Sequence, residues 1–329
     1  MTLEYPIRRF GKIALPVSIG AALAAPFLLN LYLVRLFTIV YMFAVLSLSW
    51  NLLGGYAGYI SFGNVVFFGI GAYTFGAFLT KLHVGFLPSM LMGGILVAAF
   101  ALIIGQPLLR LRGHYFTVAT FGIAEAVRSL ASLDPLGITG GGKGMTLPMM
   151  AGEIVTVSRF FYFMMFALMI AAVLATYGIV HSRIGYGLVA IREDENAAAA
   201  IGICTSRCKT LAFTVSAGFT GLVGSVYAYW MTYIEPADVF HINISISMVI
   251  MVLLGGRGTI LGPVIGAFGI ELLSELVWRR FLEFHTLILG VIIVVVVLFM
   301  PKGFMDLRHQ GRWKFSLRFL LGNVRKYKL

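Results

Sequence analysis

Cysteine is almost absent, with only Cys204 and Cys208 in a chain of 329 residues. Four apart, they are neighbours on one helical face, a placement that rarely reaches disulfide geometry, and without a nearby His or further Cys they make a poor metal site. They read as free thiols. Charge is scarce too, at 12% of residues against 60% apolar. That balance excludes an ordinary soluble domain. The sequence contains no helical His-Glu-x-x-His and no Gly-x-Ser-x-Gly, and its histidines (His83, His114, His181, His241, His285 and His309) lack metal-ligand spacing. A hydrolase or metalloenzyme finds no support there. The stretch from Gly137 to Gly144 has the Gly and Lys spacing of a phosphate-binding loop, but Gly144 stands where Ser or Thr must hold magnesium and no buried strand precedes it. Any ATP hydrolysis linked to this chain therefore falls to a separate polypeptide, and no cofactor is expected in the chain itself.

Long apolar blocks fill the space these absences leave. Each runs for about 17 to 24 residues, the length a helix needs to cross a hydrocarbon core of roughly 30 Å. The candidate spans are 12–29, 32–53, 60–80, 86–106, 114–132, 158–180, 208–231, 243–255, 262–278 and 285–300. The expected fold is all-α: a polytopic transmembrane bundle of about ten helices, one domain over 1–329.

The net charge of +12 could suggest nucleic acid, but the basic residues lie between and after the apolar blocks instead of on one soluble face. They read as topology signals. With the N-terminus in the cytoplasm, 18 Lys and Arg fall inside and 7 outside, so the positive-inside rule places both termini in the cytoplasm. The loop 181–207 and the basic tail 302–329 are then cytoplasmic, and Gly137–Gly144 is not. Trp313, Phe315 and Phe319 among the basic residues suit the tail to a membrane-lipid surface. The start, Arg8 and Arg9 before an apolar run ending at Pro26, also has the form of a leader; with nine spans following, it is read as an uncleaved helix.

Charges within spans need a reason, since an unpaired one near the bilayer centre costs about 2.5 to 3.5 kcal/mol. Glu125 and Arg128, three apart, can meet on one helix face, either as a structural pair turned into the bundle or as part of a solute path. Glu271 and Glu275 have Arg279 and Arg280 within reach. The glycine-rich segment 54–76 permits close helix approach and also unwound turns beside a cavity. Tyr56, Ser61 and Asn64 would add polar contacts there, and with Glu125 they are the candidate pathway residues.

Four blocks occur in a family-specific order. The first runs from Asn51-Leu52-Leu53-Gly54-Gly55 to Ser61-Phe62-Gly63-Asn64, and the second from Leu111-Arg112-Gly113-His114-Tyr115-Phe116 to Glu125, Arg128 and Thr139-Gly140-Gly141. The third holds Ser182-Arg183-Ile184-Gly185 and Ala190-Ile191-Arg192-Glu193-Asp194-Glu195, and the fourth Gly255-Gly256-Arg257-Gly258-Thr259 with Gly262-Pro263. Together, over residues 45 to 305, they resemble the permease subunits of branched-chain amino acid ABC importers, the LivM and LivH type, and more nearly the LivM branch. Tyr186-Gly187, Lys143, Val65 and Val66 depart from the usual pattern.

The resemblance implies an inner-membrane permease that pairs with a second permease of similar fold, two cytoplasmic ATPase subunits that use the ATP, and a periplasmic solute-binding protein. Alternatives are a permease for urea, short amides or other small organic solutes, and, in another class, an ion-coupled secondary carrier. The acidic triplet Glu193, Asp194 and Glu195 opens an alanine run that favours a helix, with Gly202 to end it. The resemblance makes this loop the ATPase-coupling element, through Gly185, Arg192, Glu193, Asp194, Glu195, Ala198 and Gly202. Small alanines would permit close docking, with the charges at the rim.

Overall fold

A backbone placed in hydrocarbon must satisfy its own hydrogen bonds, and this chain does so with helices. The computed structural model describes residues 11–135, 137–280 and 290. In chain order come α1 (Gly11–Leu28), α2 (Leu31–Gly54), α3 (Asn64–Thr80), α4 (Phe86–Leu108) and α5 (His114–Leu133). The short strand β1 (Met145–Thr146) precedes α6 (Ile154–Val180), α7 (Arg183–Glu193), α8 (Glu195–Ala200) and α9 (Thr205–Met231). Strand β2 (Tyr233–Ile234), α10 (Pro236–Val239), α11 (Ile242–Gly255) and α12 (Gly262–Arg280) complete the order.

Among the described residues, six stretches are long and apolar enough to cross a membrane: α2, α4, α5, α6, α9 and the α10–α11 unit. The apolar α3 is shorter, at 17 residues. The expected spans at 12–29 and 262–278 fall on α1 and α12. Apart from residue 290, the expected span 285–300 and the tail 302–329 lie outside the described residues, as do Arg8 and Arg9. One boundary is corrected: the third span was expected from residue 60, but the chain stays non-helical from 55 to 63 and α3 begins at Asn64.

Helices α2 and α9 form the centre, with 61% of each span buried against 22% for α5. Helix α9 lies against α2, α3 and α4, while the other side of α2 meets α6, α11 and α12. The α3–α9 crossing is as close as backbones allow. A Cβ at Gly71 would run into the Gly221 carbonyl and one at Gly224 into that of Phe68, and Ser225 Oγ donates to Gly71 O at 3.0 Å. In a membrane, where helix association rests on van der Waals contact, small residues let two helices meet this way. Gly71, in the expected pathway segment, therefore serves packing. On the far side of α2, Tyr41 and Tyr162 meet edge-on with hydroxyls 3.1 Å apart, and Tyr162 donates to Ala22 O at 2.8 Å, tying α1, α2 and α6 together.

The glycine stretch 137–144 lies past the C-terminus of α5, where β1 pairs antiparallel with β2. Asp134 turns back on it: its carboxylate accepts from the N–H groups of Ile138, Thr139 and Gly140 at 2.6, 3.0 and 2.9 Å. The amides that a phosphate would need thus already face a carboxylate, whose pKa their hydrogen bonds, first that of Thr139, hold below the usual value.

Candidate functional site

At the opposite end of α9, two turns of similar sequence abut. Each is led by Leu-Leu-Gly-Gly, at 52–55 where α2 ends and at 253–256 where α11 ends. Buried Asn51 bridges them, donating from Nδ2 to Thr259 O at 2.8 Å and accepting at Oδ1 from Gly258 N at 2.9 Å. Trp50 Nε1 donates to Ser61 O at 2.7 Å and so pins the non-helical segment 55–63 against its own helix.

The α7–α8 element lies beside these turns. Ser182 caps α7, its hydroxyl accepting from Ile184 N at 3.2 Å. The chain then extends at Asp194, whose carboxylate accepts from Asn196 N and Ala197 N at 2.8 and 3.0 Å and starts α8. Those amides, Ala197 first, keep the Asp194 carboxyl below its ordinary pKa. Gly202, at φ +87°, lets the chain reverse after α8. The acid-led, glycine-ended helix expected from the sequence is the one observed.

Glu195 points inward from α8, not toward a rim. Its Oε1 lies 2.7 Å from Lys209 Nζ on α9, its Oε2 accepts from the Tyr59 hydroxyl, and Arg112 Nε stands 3.6 Å from Oε2. Only 4% of the Lys209 side chain is exposed. A buried ammonium is tolerable only when its three N–H donors find acceptors, and here they do: Glu195, Tyr59 Oη at 3.0 Å and Leu109 O at 2.9 Å. The ammonium also sits 4.6 Å from the centre of the Tyr59 ring, which stands edge-on to Phe116 at 5.2 Å. Burial pushes the Glu195 carboxyl upward, but hydrogen bonds from Lys209 and Tyr59, then the charges of Lys209 and Arg112, outweigh it and hold the pKa below the ordinary value. Burial, then the bond to Glu195, raises that of the Tyr59 hydroxyl. Arg192 makes a second tie, donating from Nη1 to Gly55 O at 3.3 Å while pairing with Glu193 at 3.0 Å.

Of the expected coupling residues, Arg192, Glu193, Asp194 and Gly202 are exposed, whereas Gly185 and Ala198 are buried. Ala198 belongs to an internal cluster with Leu188, Ile191 and Phe213, so the close packing it permits is within this chain. Of the expected pathway residues, Tyr56, Ser61 and Asn64 are buried at 2 to 3% exposure. Asn64 Nδ2 donates to Ser216 Oγ at 3.3 Å, and Ser61 borders a cavity of about 10 Å³, room for one water at most. Glu125 stands apart from them on the exposed side of α5, 3.4 Å from Arg128. The pair exists as its spacing predicts, but it is not turned into this chain's bundle. Glu275 likewise meets Arg279, at 3.1 Å.

Sequence reasoning missed Lys209, Tyr59 and Asn51. A lysine on the first turns of an apolar span was the available signal, since such a charge requires a partner. Among the described residues, no group of three or more His, Cys, Asp or Glu could hold a metal ion. The arrangement binds segments of the chain to one another.

Compared with known proteins, residues 32–297 match the family described as branched-chain amino acid transport system / permease component. The "High-affinity branched-chain amino acid transport system permease protein LivM" of Escherichia coli (strain K12) is 29% identical over 322 residues, covering 90% of this chain and 75% of that protein. The protein of the same name from Salmonella typhimurium is also 29% identical, with the same coverage. No solved structure matches the chain.

Proposed function

This chain belongs to the family of branched-chain amino acid transport permeases, and from that membership we propose that it is the membrane-spanning subunit of an ATP-driven importer of branched-chain or related amino acids. The family match over residues 32–297 is the observation that carries the reading. About ten spans, with both termini in the cytoplasm, agree with the positive-inside count and with the lengths of the apolar blocks. The subunit pairs with a second permease of similar fold in the inner membrane. Two cytoplasmic ATPase subunits supply the energy and a periplasmic binding protein delivers the solute.

The α7–α8 element is the part that meets an ATPase subunit. Its exposed surface carries Tyr186, Arg192, Glu193, Asp194 and Ile201, the two apolar side chains being 56% and 76% exposed. Aromatic and apolar groups ringed by oriented charges suit a docking contact. The Glu125–Arg128 pair on the open side of α5 faces the second permease and the passage between them. Two charged groups on the lipid face would cost several kcal/mol, so a wet or protein-covered location is favoured.

Uptake of labelled leucine, isoleucine and valine by cells with and without this subunit tests the proposal, in competition with unlabelled amino acids, urea and short amides. The expected result is uptake that needs both the subunit and ATP and is suppressed by branched-chain amino acids. Suppression by urea or amides alone would assign another solute, and uptake that persists without the ATPase subunits but collapses with the ion gradient would make the chain a secondary carrier.

A further inference from the structure

An ATPase-docking element is useful only if its displacement reaches the helices that open and close the passage. Helix α8 is six residues long and cannot hold its own position by helical propensity. What fixes it is a set of side chains from segments remote in sequence. Glu195 binds Lys209 of α9 and Tyr59 of segment 55–63, and Asn196 accepts from Arg112, just before α5, at 2.8 Å. Lys209 reaches on to Leu109 O, just past the end of α4.

These contacts converge on segment 55–63. It is non-helical and leads straight into α3, the helix locked backbone to backbone against α9. The α7–α8 element grips it twice, at Gly55 O through Arg192 and at Tyr59 through Glu195. All three donors of the buried Lys209 ammonium are committed, so the node holds α8, segment 55–63 and the end of α4 against α9. Packed, fully paired networks of this kind carry displacement between elements that have discrete arrangements.

We propose that Lys209 is a positioning residue for transport: with Glu195 and Tyr59 it forms the link that carries displacement of α7–α8 into segment 55–63 and the start of α3. The link rests on the reading of α7–α8 as the ATPase-docking element. It assigns α9, which carries Lys209, and α3, through its leading segment, as the transmembrane helices that respond to docking.

Tyr59→Phe is the sharpest variant, because it removes one hydroxyl from the node and keeps the ring against Phe116 and Lys209. The complex is assembled from this subunit with the second permease, ATPase and binding-protein subunits of the proposed importer, reconstituted in vesicles, and read three ways: co-purification of the ATPases, ATP hydrolysed, and labelled leucine transported. For Tyr59→Phe the expected result is normal co-purification with leucine moved per ATP lowered at least about fivefold, the low end of ordinary site-to-site coupling. Lys209→Met should lower the ratio further, and Glu195→Lys with Lys209→Glu should recover part of it. An unchanged ratio in Tyr59→Phe overturns the link even if Lys209→Met fails to fold. Loss of ATPase co-purification in Tyr59→Phe overturns it too, since the node would then shape the docking surface itself. Failure of the unaltered subunit to retain ATPases would instead remove the docking reading.

Discussion

Two ion pairs, one at the base of α9 and one on α5, are alike in formal charge and opposite in character. Glu125 and Arg128 lie three apart on one helix, 3.4 Å from each other, with side chains 54% and 42% exposed. Glu195 and Lys209 lie fourteen apart on separate helices, 2.7 Å from each other, with side chains 13% and 4% exposed. The first pair would form in an isolated helix. The second exists only once α4, α8, α9 and segment 55–63 are assembled, and it helps hold them so. A pair made between elements can transmit force between them; a pair made within one helix cannot.

The comparison breaks most sharply at Lys209. Lys209→Met leaves Glu195 and Tyr59 facing each other without the ammonium, and removing one partner of a buried pair costs about 3 to 5 kcal/mol. A thermal-denaturation scan of the detergent-solubilised subunit should show the largest fall for this change. Glu195→Gln combined with Lys209→Met should recover much of it, as expected of residues that act together.

A smaller loss is expected at Ala198, which lies inside the same region. Ala198→Trp forces a large ring into the cluster around Leu188 and Ile191 and should destabilise the subunit by about 1 to 3 kcal/mol or displace α8. Normal stability with loss of ATPase binding alone would mean that Ala198 faces a partner after all.

Acid should sharpen the contrast. The folded-state pKa of Glu195 is lowered, so its stabilisation is fully present above the ordinary carboxylate value and is lost as pH falls through the lowered one. Stability of the unaltered subunit should therefore fall in that acid window, and the fall should be shallower in Glu195→Gln. Equal slopes would mean that Glu195 does not carry its charge in the node.

Least is expected from Glu125→Gln. Exposed helical pairs three or four apart contribute about 0.2 to 0.5 kcal/mol, so the isolated subunit should be almost unchanged. A fall as large as that of Lys209→Met would erase the distinction, whereas normal stability with impaired leucine uptake would place the pair on the passage.

Much of this was legible in residue order. Apolar blocks of bilayer length give the helices, because a spanning backbone must bond within itself. Spacing of three gives Glu125–Arg128, and an aspartate before an alanine run with glycine beyond it gives the ends of α8, because caps and helical neighbours involve residues only a few positions apart. Which way Glu195 and Ala198 point, that the glycines around Gly71 serve packing, and that Asn51 joins two turns some two hundred residues apart were decided only by the assembled bundle. Periodicity states that a residue has a buried side but not what it meets there. Lys209 is the clearest instance: the sequence by itself determined that a charge in an apolar span needs partners, and the tertiary structure alone chose Glu195, Tyr59 and Leu109, because the meeting of remote segments depends on how whole helices pack.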